Sequence, residues 1–439
     1  MNKSYDVIVV GGGTAGCATA YMAGKLGLKV LLIEKGIHLG GTMTSGLVVP
    51  VMKSGNHQIN TDFYNILINE MHNVGGQVTY QDNPGWFNPE LLKIVLDKIM
   101  KDVSVDVRYN AEVKDVKTEG KYILSLETNK EISSVYNEEV DTDNINPIRH
   151  KPLSVYIEAK YFVDATGNCD FSNNINCKFL EMKSEYQPMS LRFLMSGIDL
   201  KKFGHWLLKI DNDRNVTTVE NIDGVTHLST AYTWDTDKHW ALAPYFDKAV
   251  EFGELKDSDR NYFQVFTVAG MHDALAFNCP RIPENLNPNL VKDTSKALIE
   301  GREAIFRLSK FCIKYFPGFE NAYISNIADF LGVRVSNRLK GKYIYTIDDL
   351  KSGKKFEHPA LISNYPVDVH NRSKNTSTLE KTGEYQLPIE SLMAYDYENL
   401  FVVGRGISAD YMAQGALRVQ ASCFSMGEAV AKYIKEQLS

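Results

Sequence analysis

The chain has 439 residues, 44% hydrophobic and 23% charged, with a formal net charge of −6. That length predicts two or three domains, and that composition excludes a disordered or fibrous chain. The mild acidity and scattered lysines point away from a nucleic-acid partner. No apolar run reaches the roughly 18 residues that a membrane-spanning helix needs.

Six cysteines (Cys17, Cys169, Cys177, Cys279, Cys312, Cys423) form no CxxC pair and no metal-ligand spacing. They predict free, mostly buried thiols in a reducing compartment and no metal site. The N-terminus enters a strand within a few residues, without a charged and then apolar leader. The expectation is therefore a soluble, cytoplasmic protein.

Val7 to Val10 reads as a buried parallel strand that runs into Gly11-Gly12-Gly13-Thr14-Ala15-Gly16. A helix rich in small residues follows (Ala18, Ala20, Met22, Ala23, Leu26), then an apolar strand from Lys29 to Ile33 ending on Glu34. Strand, glycine turn, helix, strand and acid in this order predict a dinucleotide site. Gly11 permits the tight turn, Gly13 admits a pyrophosphate, and Gly16 lets the helix pack on the sheet. The helix N-terminus offers N–H groups and partial positive charge to that pyrophosphate. Glu34 is placed to hold ribose hydroxyls. Its charge repels a 2′-phosphate, which favours FAD or NAD(H) over NADP(H).

The small-residue loop Gly36 to Gly46 suits a wrap around a flat ligand. Tyr64 to Met71 and Pro89 to Met100 read as helices, the second with Asn88 as N-cap. Val105 to Tyr109 reads as a third parallel strand. Ala111 to Lys117 and Tyr122 to Glu127 form a hairpin through Glu119-Gly120. Thr128 to Lys151 is polar and reads as a long loop, after which Leu153 to Lys160 resumes strand alternation. The apolar stretch Tyr161 to Asp164 then meets Ala165-Thr166-Gly167, which leaves room for a second approach to the cofactor.

From Phe179 to about Leu392 the sequence changes character. It carries strand-like stretches (Ser190 to Ser196, Gly224 to Thr233, Gln264 to Met271) and three tryptophans, Trp206, Trp234 and Trp240. Val291 to Tyr315 has the periodicity of a helix, closed by Pro317-Gly318. Leu400 to Val403 returns to an apolar strand, which meets Gly404-Arg405-Gly406. Gln414-Gly415 is expected to open a helix with Ala416, Val419, Cys423, Met426 and Val430 on one stripe.

Taken together, these motifs resemble the bacterial FAD-dependent oxidoreductase family, distant kin of the fumarate reductase and succinate dehydrogenase flavoproteins. The resemblance runs through nearly the whole chain. Besides the N-terminal fingerprint it includes Gly40-Gly41-Thr42, Ala165-Thr166-Gly167, Phe277-Asn278-Cys279-Pro280-Arg281, Pro317-Gly318-Phe319, Gly332-Val333-Arg334 with Arg338 to Tyr343, and the segment Asn399 to Gln420. It implies an α/β fold: a Rossmann-type FAD-binding domain (parallel sheet with a β-meander) from residues 1–178 and 393–439, and an inserted mixed α+β substrate domain, 179–392. It also implies extended FAD. The adenine end would lie near Glu34, Lys35 and Val113, and the pyrophosphate over Gly11 to Gly16, with Thr14 and Ala15. The isoalloxazine would lie near Gly41, Thr42 and the segment Gly404 to Leu417, with Gly404, Arg405, Gly415, Ala416 and Leu417, while Ala165, Thr166 and Gly167 make the second approach to the cofactor.

Relatives of the fumarate reductase type can link flavin to a histidine. Here Met43 stands nearest, with His38 upstream, so the expectation is non-covalent FAD. A helix beginning at Gly415 would aim its positive end at the flavin N1/C2=O edge. Arg405 or Arg418 adds to that charge, unless each only pairs with a carboxylate. The candidate acids and bases are Tyr411, which stands where the family often has histidine, with His272, His239, Arg334 and Arg338. The Arg334/Arg338 pair suits a substrate carboxylate; the alternative is a structural pair. His239 reads as a surface or packing residue.

The function these residues predict is an FAD-dependent oxidoreductase. It would move a hydride between flavin N5 and a small organic molecule, as a dehydrogenase, oxidase or C=C reductase. One alternative is a flavin monooxygenase or halogenase, although the WxWxIP signature of tryptophan-type halogenases does not occur. Another is a non-catalytic flavin-binding redox module. No second glycine fingerprint follows an apolar strand, so electrons are expected from the substrate or from an external donor or acceptor.

Overall fold

The computed structural model describes residues 4–52, 59–129, 156–181, 186–233, 238–282, 285–370, 377–380 (backbone only) and 382–439. The expected loop Thr128 to Lys151 falls almost wholly outside the described residues, as do Trp234 and the start of the strand expected from Leu153.

The N-terminal half runs β1 (Ser4–Val10), α1 (Thr14–Lys25), β2 (Val30–Ile33), α2 (Asp62–Asn73), β3 (Gln77–Tyr80), β4 (Asn83–Phe87), α3 (Pro89–Asp102), β5 (Asp106–Arg108), β6 (Val113–Glu119), β7 (Tyr122–Thr128), β8 (Tyr156–Asp164) and α4 (Asp170–Asn174). The rest runs β9 (Phe193–Ser196), α5 (Leu200–Ile210), β10 (Thr218–Ile222), β11 (Val225–Thr233), α6 (Ala243–Glu251), β12 (Tyr262–Thr267), β13 (Leu275–Phe277), α7 (Val291–Tyr315), β14 (Tyr323–Ile327), α8 (Ile347–Lys351), β15 (Pro359–Ser363), β16 (Val367–His370), β17 (Ser377–Glu380), β18 (Tyr385–Pro388), β19 (Leu400–Val402), α9 (Tyr411–Leu417) and α10 (Gln420–Gln437).

The expected α/β architecture is present. β5, β2, β1, β8 and β19 pair in parallel in that order. Apolar residues bury both faces of this sheet, which is why β1 and β2 read as near-continuous hydrophobic runs. β8 is one long strand where the sequence suggested two. Its first half pairs antiparallel with β7, and β7 with β6, which makes the meander. Its second half lies between β1 and β19.

A second sheet, antiparallel in every pair, has the order β10-β11-β12-β13-β9-β14. Its aromatic core stacks Phe193 on Phe277 at 4.3 Å and Tyr232 on Phe246 at 4.5 Å. The hairpin β3–β4 leans on this sheet, with Trp86 edge-on to Phe266 at 5.5 Å. β12 ends at Thr267, short of the Met271 expected, because Val268 begins the turn to β13.

α3 starts where the sequence places it: Asn88 Oδ1 accepts from Glu90 N (2.9 Å) and Leu91 N (3.2 Å). Such a cap contributes about 1 kcal/mol. α7 has the predicted bounds. The helix expected to open at Gln414-Gly415 is corrected. α9 begins at Tyr411, capped by Asp410, whose side chain accepts from Ala413 N at 2.8 Å. The chain leaves the helix at Arg418, and α10 begins at Gln420. Gly415 therefore sits inside a short helix and not at a helix N-terminus.

Candidate active site

β1, β8 and β19 are parallel, so their C-terminal ends share one edge of the sheet, and the loops that follow meet there. This is where open α/β sheets place ligands. Gly11 has φ +104°, and a Cβ on it would stand 2.6 Å from the Ala165 carbonyl oxygen. Glycine is required at that contact between the two loops. Asp164, fully buried at the end of β8, holds the second loop. Its carboxylate accepts from Thr166 N (3.0 Å), Thr166 Oγ1 (2.6 Å), Ser172 N (2.8 Å) and Ser172 Oγ (2.6 Å). Burial raises its pKa in spite of those four donors. The sequence reading passed over Asp164. Its available signal was an acid two residues before a threonine at a strand end, the pattern of an Asx turn.

The first turn of α1 carries no acidic residue, and its N-cap, Gly13, offers no side-chain cap. A Cβ built on Gly13 would meet nothing nearer than the Ala165 carbonyl oxygen at 4.0 Å. Gly41 and Thr42 close over this end, with Thr14 Oγ1 3.1 Å from Thr42 Oγ1. Gly13, Thr14, Gly41, Thr42, Thr166 and Gly167 are all half-buried. Ala15 is buried beneath them.

Glu34 lies at the end of β2. Oε2 accepts from Gly12 N (2.7 Å) and Oε1 from Gly36 N (2.6 Å). A carboxylate has about four lone-pair sites, so capacity for a hydroxyl donor remains. Val113 is close by sequence to Ala111, whose N–H donates to the Glu34 carbonyl at 3.0 Å. Lys35 is exposed and 3.6 Å from Asp170.

At the other end, Gly404 (φ +83°) turns the chain after β19. Arg405 then points inward: it donates to Asn168 Oδ1 and lies against Gly167. Among the described residues it has no carboxylate within ion-pair distance, and burial lowers its pKa. Arg418, by contrast, meets Asp368 (Oδ2 at 3.5 Å, backbone O at 2.7 Å). Gly415 packs on β16, where a Cβ would stand 2.9 Å from Val369 Cγ2. Ala416 and Leu417 are fully buried.

Of the candidate acids and bases, Tyr411 is half-buried at the start of α9, close enough to Arg338 to act on it electrostatically. Arg334 and Arg338 do not form a pair. Arg338 donates to the carbonyls of Ala409 (2.8 Å) and Glu181 (3.2 Å), whereas Arg334 donates to Pro188 O. His272 is exposed in the turn after β12, and His239 is exposed as well. Absent from the sequence reading is His370, on β16. Its Nε2 is 3.3 Å from Asp368 Oδ1, while its buried Nδ1 has no partner among the described residues. Burial, then Arg334, lowers the His370 pKa, so the ring is neutral. The proton sits on Nε2 facing Asp368, which leaves a bare lone pair on Nδ1. The local signal was the spacing Asp-Val-His, which puts both side chains on one face of a strand.

Residues 6–435 match the FAD dependent oxidoreductase family. The chain belongs to that family. It is an enzyme, and its cofactor is FAD. Curated relatives share only short stretches. Vinyl phenol reductase of Lactiplantibacillus plantarum is 54% identical over 48 residues, 10% of each chain. Digeranylgeranylglycerophospholipid reductase of Methanococcus vannielii is 43% identical over 54 residues, 12% of this chain and 14% of that one. Among solved structures, a geranylgeranyl bacteriochlorophyll reductase-like protein of Thermoplasma acidophilum covers 99% of this flavoprotein and 79% of its own chain, with 14% identity and TM-score 0.45. The flavin-dependent brominase Bmp2 gives 99%, 80%, 12% and 0.47.

The residues present fit FAD. The space a Cβ would fill at Gly13 and the uncapped start of α1 suit a pyrophosphate, and Glu34 suits a ribose. Among the described residues no helix is long and apolar enough to cross a membrane.

Proposed function

We propose that this flavoprotein transfers a hydride between FAD and a small organic substrate, with the coupled proton handled by His370. Bound FAD supplies the two-electron chemistry; the chain supplies position and proton control. Gly11, Gly13, Thr14, Ala15 and Gly16 would hold the pyrophosphate, with Glu34, Lys35 and Val113 toward the adenosine. Gly41, Thr42, Ala165, Thr166, Gly167, Gly404, Arg405, Gly415, Ala416 and Leu417 would border the ring. FAD would be held without a covalent bond; the fully buried Met43, and His38 lying 3.3 Å from Asp329, support that reading. Residues 1–178 with 393–439 form the cofactor domain, and 179–392 the substrate domain. The supply of the parallel strands from the first two stretches and of the antiparallel sheet from the third supports that division.

The observation that carries the reading is the buried Nδ1 of a neutral, half-buried His370, which has no partner among the described residues, on the strand that packs against α9, with Asp368 beside Nε2. A neutral imidazole accepts a proton without first giving one up. Asp368 fixes its orientation and partly offsets the burial and the Arg334 charge that disfavour the imidazolium. Tyr411 is the second candidate for this step.

The test is anaerobic mixing of the enzyme with small organic donors, followed by product analysis under labelled oxygen. Loss of the visible flavin band with no label in the product supports the reading. Oxygen or halide incorporated into the product would place the enzyme among monooxygenases or halogenases.

A further inference from the structure

Four arginines cluster around Gln187 to Ser190 and the C-terminal end of α9. Arg281 lies over the Tyr262 ring, its guanidinium carbon 3.6 Å from the centroid. Tyr262 accepts from Asn278 Nδ2 at 3.3 Å, and Asn278 Oδ1 accepts from Arg192 Nε at 2.8 Å. On the other side, Arg418 reaches Gln187 Oε1 at 3.3 Å, and Arg334 donates to Pro188 O, the next residue along. Arg281 and Arg334 are buried. Each of Arg281, Arg418 and Arg192 acts electrostatically on Arg334, so the two pairs are near neighbours.

The chain gives this cluster little in return. Asp368 is the carboxylate that acts on Arg281 and Arg334, and it is shared with Arg418 and His370. Arg281 Nε, Arg418 Nε, Gln187 Nε2 and Ser190 Oγ are all buried without a partner among the described residues. Arg281 is 7% exposed, Gln187 3% and Ser190 0%. Burying a guanidinium without a counter-charge is costly, and an orphaned buried donor adds a further penalty. Among the described residues, one carboxylate, Asp368, acts on three of these four arginines, and with donors unspent they describe a site whose missing partner is an anion.

We propose that Arg192, Arg281, Arg334 and Arg418 bind a small organic anion bearing at least two carboxylates, one toward each arginine pair, and that this is the substrate class of the enzyme. The assignment of substrate rests on the proposed function; the anion site itself does not. Guanidinium forks match carboxylates by paired hydrogen bonds. A hydride-transfer substrate also needs a C–H bond between its charged ends, which inorganic phosphate lacks. Residues of three stretches singled out in the sequence, Asn278 to Arg281, Gly332 to Arg334 and Gly415 to Arg418, meet here.

The test uses flavin-loaded enzyme, calorimetry and thermal unfolding. The probes are butanedioate, 1,2,3-propanetricarboxylate, acetate and inorganic phosphate at matched ionic strength. The di- and tricarboxylates are expected to bind saturably and raise Tm, with acetate and phosphate at least ten-fold weaker. Arg281→Gln is expected to weaken that binding at least ten-fold. It should keep FAD and leave the unliganded Tm unchanged or higher, because a repelled buried charge is gone. No binding of any probe, or binding of phosphate alone, would overturn the proposal. So would an Arg281→Gln enzyme with lowered unliganded Tm and unchanged affinity. Carboxylate binding to an enzyme that reduces no donor would instead overturn the proposed function and leave the anion site standing.

Discussion

Gly16 sits directly over the carbonyl of Gly11: a Cβ on Gly16 would stand 1.9 Å from that oxygen. Two residues of one glycine motif thus do different work. Gly16 sets the helix-to-strand contact, whereas Gly13 borders open space. Gly16→Ala should destabilise the fold, lowering Tm and FAD content together. Gly13→Ala should keep the wild-type Tm of the flavin-free protein and lose FAD affinity ten-fold or more. Thermal unfolding with and without FAD, together with flavin content, separates the two.

Asp164 ties four donors, two from Thr166 in the loop and two from Ser172 in α4, to the end of β8. Asp164→Ala strands them in a buried site, at a cost of about 3–5 kcal/mol. Asp164→Asn should also destabilise, since its amide N–H₂ would face a donor on one side. Chemical denaturation reads the loss. A variant within about 0.5 kcal/mol of wild type, the usual range for surface changes, would contradict the assignment.

His370 is neutral across the working pH range, because its pKa is lowered. The kcat profile should therefore lack an inflection at the ordinary histidine value. His370→Gln should cut kcat by about 10²–10⁴, with KM changed far less. Asp368→Asn should fall in the same direction. An inflection near the ordinary histidine pKa that disappears in His370→Gln would show that the ring titrates there.

Glu428 on α10 is fully buried; Oε1 accepts from Phe63 N at 2.7 Å, and Oε2 has no hydrogen-bond partner among the described residues and lies 3.6 Å from Lys432 Nζ. Burial raises its pKa. The folded chain thus holds the proton more tightly than the unfolded one. The contribution to stability is present below the unfolded carboxyl value and is lost as pH rises through the folded value. Glu428→Gln keeps the acceptor and removes the titration. Its Tm should match wild type in acid and exceed it at neutral pH.

All six cysteines are buried and unpaired. Burial pushes Cys17, Cys177, Cys279 and Cys423 up to about 12. The native enzyme should therefore be inert to a thiol reagent at neutral pH, and the unfolded chain should titrate six thiols. Rapid reaction of a native thiol would contradict the packing.

Much of the cofactor half was legible because its constraints are local. Gly11, Gly13 and Gly16 announce a turn by spacing alone, Asn88 announces α3, and the stripe from Leu298 to Tyr315 announces α7. The α9–α10 break was not legible. The cap at Asp410 is a single acid in a run of small residues. Arg418, where the helix stops, reaches across to Asp368, and no local pattern encodes that contact. The anion cluster was hidden for the same reason. Arg192, Arg281, Arg334 and Arg418 come from four separate stretches, and only the antiparallel sheet and β16 bring them together. Arg334 and Arg338 looked like a pair by spacing, but the chain sends their side chains to different carbonyls.

The most direct measurement is the visible spectrum of the purified enzyme under anaerobic conditions, titrated with a panel of small oxidisable carboxylates. The account predicts a bound flavin band that at least one compound bleaches stoichiometrically, and that Gly13→Ala does not carry. A flavin band that dithionite bleaches but no compound in the panel touches would contradict hydride transfer at this site.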